Sequence, residues 1–121
     1  MKYCLVVDDS SVIRKVARRI LEQLKFEVQE ARDGQEAYQS CMQRMPDAII
    51  VDYAMPVMDG FQFLKSVRAL DKGQQPRIIF LTTENDVSQI AKAVHAGANE
   101  YLLKPFDKAI LTSKLVEVGL V

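Results

Sequence analysis

Residues 4–9 read CLVVDD, an apolar run that ends abruptly in two carboxylic acids. An uninterrupted apolar run of this length is typical of a strand that is covered on both faces, as in a parallel sheet. Residues 47–52, DAIIVD, repeat the pattern and end in Asp52. Three further runs complete a set of five predicted strands, at residues 26–30, 78–81 and 101–103.

Helical patterns fill every gap between these strands. In the first gap, behind Ser10 or Ser11 as the N-cap, apolar residues recur three or four positions apart: Ile13, Val16, Ala17, Ile20, Leu21 and Leu24. Shorter helices are predicted at about residues 34–45, 60–70, 86–96 and 107–118, with Gly97 as a C-terminal cap. Because parallel strands need right-handed helical crossovers, this alternation predicts an α/β fold, a doubly wound five-stranded parallel sheet with helices on both faces.

Five polar residues lie where predicted strands end: Asp8, Asp9, Asp52, Thr82 and Lys104. In a parallel sheet these ends meet at one edge, where α/β proteins keep their ligand crevice. The first and third strands carry the acids, so we expect them to be neighbours, in the strand order 2-1-3-4-5. Two unit charges about 4 Å apart repel by roughly 4 kcal/mol at an effective dielectric near 20, so three clustered carboxylates require a cation. Lys104 and a divalent metal are the candidates.

These residue types favour phosphoryl chemistry assisted by Mg²⁺. Two acids after the first strand would repel a bare phosphate, whereas Mg²⁺ prefers oxygen ligands. A carboxylate beside a metal, such as Asp52, can act as a nucleophile toward phosphorus. Thr82, or Thr83 beside it, can donate a hydroxyl hydrogen bond to a phosphoryl oxygen. Lys104, held extended by the proline that follows it, can neutralise the developing charge.

Composition narrows the class of protein further. A chain of 121 residues fits one domain, residues 1–121, and its 16 basic residues balance its 16 acidic ones. With no net charge, nucleic acid and anionic membranes are not expected partners. The N-terminus has neither a signal-peptide nor a membrane-span pattern, which predicts a cytoplasmic protein without membrane insertion. Cys4 and Cys41 form no C-x-x-C pair, so we expect buried structural thiols.

Taken together, the motifs resemble the receiver domains of two-component response regulators, of the CheY-like single-domain kind. The resemblance runs from Cys4 to the final helix, and the order and spacing of its motifs are specific. It also implies the flavodoxin-like order 2-1-3-4-5, which is a known property of CheY. The matching elements are Val7-Asp8-Asp9-Ser10, Asp52 with Met55-Pro56 and Met58-Asp59-Gly60, Leu81-Thr82, Gly97-Ala98 and Lys104-Pro105-Phe106.

The resemblance assigns a role to each residue of the predicted metal site. It implies that Asp52 accepts a phosphoryl group from a phosphohistidine. It also implies that Asp9, Asp52 and the backbone carbonyl of Ala54 bind Mg²⁺, and that Asp8 reaches the metal through water.

The resemblance further implies a switch next to this site. Lys104 and Thr82 would contact the phosphoryl group, and Tyr101 would be the aromatic residue whose rotamer follows Thr82. The peptide bond between Lys104 and Pro105 would be cis.

The predicted function is a phosphorylation-dependent signalling switch that acts in chemotaxis or motility. It would receive phosphate from a histidine kinase or phosphotransfer protein and signal to a downstream protein as a monomer. It would catalyse its own phosphotransfer and slow autodephosphorylation without being a conventional enzyme. The chain ends at Val121 directly after the last helix, so we expect output by protein contact. A phosphate sink, a relay intermediate and an isolated receiver of a larger regulator remain alternatives.

Two other classes fit less well. Haloacid-dehalogenase phosphatases need a second acid two residues after the nucleophile, where this chain has Ala54. A flavodoxin-like electron carrier needs a hydroxyl-rich phosphate loop where this chain has Asp8 and Asp9.

Further expectations concern residues to which no role at the site is assigned. We interpret His95 as structural. The basic face of the first helix, formed by Arg14, Lys15, Arg18 and Arg19, is either a solvated surface or a docking contact for the phosphodonor. Four methionines are expected in core and loop packing: Met42, Met45, Met55 and Met58.

Overall fold

The computed structural model describes residues 1–83 and 88–121, in which five strands alternate with five helices. The strands are β1 (Tyr3–Val7), β2 (Glu27–Ala31), β3 (Ala48–Asp52), β4 (Arg77–Thr82) and β5 (Glu100–Leu103). The helices are α1 (Ser11–Gln23), α2 (Gly34–Gln43), α3 (Gly60–Arg68), α4 (Ser88–Ala96) and α5 (Lys108–Glu117). The predicted fourth helix begins at Asp86, which lies outside the described residues.

All neighbouring strands pair in parallel, in the order β2-β1-β3-β4-β5. Both the predicted fold class and the predicted strand order are confirmed. Val7 pairs with Val51, and Asp52 pairs with Leu81. The carboxyl ends of β1, β3 and β4 are therefore nearly level at one edge of the sheet.

Two apolar layers cover the sheet. On one face, Cys4 and Val6 pack with residues of α1 and α5, while on the other Leu5 and Val7 pack with residues of α2, α3 and α4. Every residue of β1 and β3 is buried. Burial on both faces is the reason that these strands read as continuous apolar runs.

Local capping sets the helix starts. Ser10 is the N-cap of α1, and its hydroxyl accepts a hydrogen bond from the backbone N–H of Ile13 at 3.3 Å. Aspartates occupy the N-caps of α2, α3 and α5, where a short polar side chain satisfies an N–H group with no helical partner. Gly97 follows α4 at φ 123°, in the left-handed region predicted for a C-terminal cap.

Two predicted core positions are wrong. Val16 is 39% exposed because it lies at the edge of the apolar stripe of α1, whose centre is formed by Ala17, Ile20 and Leu21. Met42 is 63% exposed because it follows buried Cys41 and is turned about 100° outward on α2.

The remaining expectations about packing hold. Met45, Met55 and Met58 pack against the layer that α2, α3 and α4 cover. Both cysteines are buried free thiols, and burial raises the pKa of Cys41 to about 12. Among the described residues, no helix has the length and apolar character needed to cross a membrane.

Candidate functional site

The carboxyl edge of the sheet brings the predicted charged residues together. One carboxylate oxygen from each of Asp8, Asp9 and Asp52 lies within 4.8 Å of the others. The ammonium nitrogen of Lys104 lies 3.1 Å from Asp8 Oδ2 and 3.0 Å from Asp52 Oδ1. The lysine that follows β5 therefore bridges the acids at the ends of β1 and β3.

Asp8 is held at this edge by hydrogen bonds with four neighbours. Its backbone N–H donates to the carbonyl of Ala31 at 3.1 Å, which continues the pairing with β2. The N–H of Ser10 donates to Asp8 Oδ1 at 2.9 Å, and Arg14 Nη1 donates to the Asp8 carbonyl at 2.7 Å. With Lys104 on Oδ2, each carboxylate oxygen of this fully buried side chain has a hydrogen-bond donor.

Burial and mutual repulsion set the charge states of the site. Burial raises the pKa of Asp52 to about 6, although the hydrogen bond from Lys104 lowers it. The negative charge of Asp8 raises this pKa further. Burial also raises the pKa of Asp8 above its ordinary value, although the Ser10 N–H and Lys104 oppose it. Burial alone would lower the pKa of Lys104, but its contacts with Asp52 and Asp8 raise it. Lys104 therefore stays charged, and one cation faces three carboxylates.

The residues fit a hard divalent cation. Three clustered carboxylates supply oxygen ligands of the kind that Mg²⁺ prefers. Asp9 is exposed, so the site opens to solvent from which the ion and its waters can enter. Ala54, whose carbonyl the resemblance places on the metal, is exposed in the loop after β3.

The loop between β3 and α3 packs directly against the backbone of Asp52. A Cβ atom at position 60 would collide with the carbonyl oxygen of Asp52, so only glycine fits there. Asp59 caps α3 and forms a reciprocal capping box with Gln62. Val57 is 80% exposed at φ 69°, a left-handed conformation that is strained for a β-branched residue. Close packing thus holds the loop beside the acids.

Thr82 lies at the same edge and is buried. Its hydroxyl is 3.5 Å from the carbonyl of Thr83, which is long for a hydrogen bond between oxygens. Phe80 pairs with Tyr101, and Thr82 pairs with Leu103. Because side chains alternate along a strand, Thr82 and Tyr101 lie on the same face of the sheet. The peptide bond between Lys104 and Pro105 is cis, as the resemblance implies.

Only part of the predicted basic face of α1 is an exposed surface. Arg14 and Arg18 are half-buried, and their Nε atoms lie 2.9 and 2.6 Å from the two carboxylate oxygens of Glu30. The predicted strand order could have indicated these contacts with Glu30, because it places the end of β2 beside the start of α1. Lys15 and Arg19 are exposed. His95 is also exposed, at the end of α4, and does not join the site.

The chain matches the family described as response regulator receiver domain over residues 4–116. It is 37% identical over 113 residues to the chemotaxis protein CheY1 of Helicobacter pylori, which covers 92% of this chain and 91% of that protein. The structure of chemotaxis response regulator CheY4 of Vibrio cholerae superposes with a TM-score of 0.91 at 37% identity, over 98% of each chain. The receiver domain of a Pseudomonas aeruginosa sensor histidine kinase, with a magnesium ion coordinated in its active site cleft, gives a TM-score of 0.87 at 32% identity, also over 98% of each chain.

The fold and the acidic edge of the sheet define a phosphorylation-dependent signalling switch of a two-component system. The chain belongs to the response regulator receiver domain family. As a receiver domain, it interacts with a histidine kinase or a phosphotransfer protein. The phosphatase alternative is not favoured.

Proposed function

We propose that Asp52 is the phosphoacceptor of a single receiver domain spanning residues 1–121. Mg²⁺ would be held by Asp9, Asp52 and the Ala54 carbonyl, with Asp8 contributing through water. The main support is that one carboxylate oxygen from each of Asp8, Asp9 and Asp52 lies within 4.8 Å of the others. In addition, Lys104 bridges Asp8 and Asp52. The magnesium-bound receiver domain from Pseudomonas aeruginosa supports the choice of metal.

The transfer itself is a displacement at phosphorus. A carboxylate oxygen of Asp52 forms the new P–O bond as the P–N bond of the phosphohistidine breaks, and the imidazole keeps the electron pair and then takes a proton. A pKa of about 6 leaves Asp52 mostly ionised at neutral pH and therefore nucleophilic. Lys104 orients Asp52 through Oδ1 and neutralises charge on the phosphoryl oxygens. Bound Mg²⁺ supplies further positive charge and a template for those oxygens.

Phosphorylation changes the partners available at the edge of the sheet. Asp52 gains about one further negative charge and strong acceptor oxygens, so Lys104 and the Thr82 hydroxyl gain new hydrogen-bond partners. Moving a two-state equilibrium from 1:99 to 99:1 takes about 5.5 kcal/mol, which is two to four charge-assisted hydrogen bonds at about 1.5–3 kcal/mol each. Thr82 and Tyr101 share a face of the sheet, so a shift of Thr82 changes the packing around Tyr101.

Intact mass after incubation with acetyl phosphate tests the proposal. The parent protein with Mg²⁺ is expected to gain one phosphoryl group, whereas Asp52→Asn and the parent protein with a metal chelator gain none. Asp59→Asn is the matched control, because asparagine caps a helix as well as aspartate does and the change lies in the same loop. Equal labelling of the parent and Asp52→Asn would reject the assignment.

We further propose that the protein acts in chemotaxis or motility, as a cytoplasmic monomer that contacts a downstream protein. The Helicobacter pylori relative and the Vibrio cholerae neighbour are chemotaxis proteins, which supports this role over a phosphate sink. Pull-down from a lysate with phosphorylated and unphosphorylated protein separates the two. A partner retained only by the phosphorylated form supports the output role, and phosphotransfer without such a partner supports the sink.

The phosphodonor is proposed to dock on the exposed flank of α1. Lys15 and Arg19 flank exposed Val12 and Val16, and a cavity of about 260 Å³ lies among these four residues and Ile20. Charge reversal at Lys15 and Arg19 is expected to slow phosphotransfer from the protein donor and to leave labelling by acetyl phosphate unchanged. Unchanged protein phosphotransfer would refute docking there. Arg18 is a poor test residue, because its loss would also break the contact with Glu30.

A further inference from the structure

Lys114 of α5 lies at the centre of a small cluster on the edge strand β5. Its ammonium nitrogen is 4.4 Å from the centroid of the Tyr101 ring. It also lies 3.5 Å from Glu100 Oε1 and 3.8 Å from Glu117 Oε2. Two acids, one on the strand and one on the helix, therefore hold this cation against the aromatic ring.

The cluster restrains the ring from two directions. An ammonium over an aromatic face is attracted by the negative charge of the π-system. Glu100 Oε1 also accepts a hydrogen bond from the backbone N–H of Tyr101 at 2.9 Å, so the same carboxylate contacts both partners of the cation–π pair. The Lys114 side chain is mostly buried, at 20% exposure, which limits competition from water.

We infer that Lys114 is a positioning residue that holds the Tyr101 ring in the orientation described here and so opposes its reorientation when Asp52 is phosphorylated. The inference rests on the proposed switch role of Tyr101. If the ring reorients when Thr82 moves, it must leave the ammonium. The cation–π contact is then a differential interaction between the two states, which is what shifts an equilibrium.

Lys114→Met tests the inference, because methionine keeps the unbranched side chain and removes the charge. The loss of one cation–π contact is expected to raise the population of the active orientation about two- to five-fold, equivalent to about 0.5–1 kcal/mol. The concentration of beryllium fluoride, a phosphoryl analogue, needed for half-conversion in the presence of Mg²⁺ falls by the same factor. Fluorine NMR of protein labelled with 3-fluorotyrosine reports the ring, since the chain has four tyrosines and Tyr101→Phe assigns the signal.

Two control variants separate the ring contact from general effects on α5. Lys114→Arg keeps a cation that can stack on the ring, so it is expected to behave as the parent protein. Lys108→Met removes an exposed lysine of the same helix and is expected to leave the Tyr101 signal unchanged. Urea unfolding checks that each variant is folded.

The outcomes distinguish this inference from the proposed function. If the Tyr101 signal of the parent protein does not change when beryllium fluoride is added, the proposed switch role of Tyr101 is rejected. The ring contact is judged separately, in protein without the analogue. If Lys114→Met there gives the same Tyr101 signal as the parent protein and Lys108→Met, the inference is overturned. It is also overturned if the concentration for half-conversion is unchanged.

Discussion

Replacing Asp52 with asparagine is expected to make the metal-free protein more stable at neutral pH. The ordinary pKa of an aspartate, 3.8, rises to about 6 in the folded protein, mainly through burial. Between these values the folded protein binds the proton more tightly than the unfolded chain does. Stability therefore falls as the pH rises from about 4 to above 6 and stays lower beyond that, because the ionised side chain is destabilised by folding. Asparagine carries no charge and avoids this cost.

The size of the gain follows from the pKa. A rise from 3.8 to about 6 corresponds to about 3 kcal/mol at 1.36 kcal/mol per pH unit. Because the site opens to solvent beside Asp9, screening reduces this value, and we expect about 1–2 kcal/mol. Mg²⁺ reverses the ranking, since an ion at about 100 times its dissociation constant stabilises the parent protein by about 2.7 kcal/mol.

Urea unfolding followed by circular dichroism, with a metal chelator present, measures this difference. The advantage of Asp52→Asn over the parent protein is expected to be full at pH 7.5 and to fall to about a third of that at pH 4.5, and it vanishes only below about pH 3, where the folded and unfolded states both bind the proton. Asp59→Asn, a change of the same kind in the neighbouring loop, is measured beside it as the matched variant. A difference that stays constant with pH, or grows as the pH falls, would refute the reasoning.

Substitutions at three further positions test other contacts. Lys104→Met leaves Asp8 and Asp52 without their cation and is expected to cost about 3 kcal/mol in urea unfolding at pH 7, less at pH 5 as the acids protonate. Val57→Asn relieves left-handed strain and is expected to raise stability by about 1 kcal/mol, whereas Val57→Ile leaves it unchanged. Arg68→Met removes a guanidinium that donates hydrogen bonds to backbone carbonyls in the α3–β4 and α4–β5 loops, and it is expected to lower the free energy of unfolding by about 2–4 kcal/mol. Arg68→Lys is expected to restore only part of this stability, because an ammonium lacks the planar fork of a guanidinium.

The local sequence pattern predicts this structure best where it agrees with the geometry of the fold. The apolar runs that end at Asp8 and Asp52 predicted strands buried on both faces, and parallel pairing then required their carboxyl ends to share an edge. It failed for Val16 and Met42, which lie beside buried helix positions. Whether such a residue is covered depends on the neighbouring element in space, which helical periodicity does not specify.

The local sequence pattern could not predict the charge pairs either. Arg14 and Arg18 read as a free basic surface, yet Glu30, from a strand that follows later in the chain, holds both. The contact between Lys114 and Tyr101 likewise joins a helix to the preceding strand. Such contacts depend on side-chain directions, and spacing along the chain carries little information about them.

The sequence by itself determined the alternation of strands and helices and the chemical identity of the groups at the strand ends. Both follow from local propensity and from the constraint that parallel strands run in one direction. Only the tertiary structure decided that Lys104 bridges Asp8 and Asp52 at about 3 Å and that Asp52 has a pKa of about 6. Electrostatic energies depend on distance and burial, and segments almost a hundred residues apart in the chain must pack together before either quantity exists.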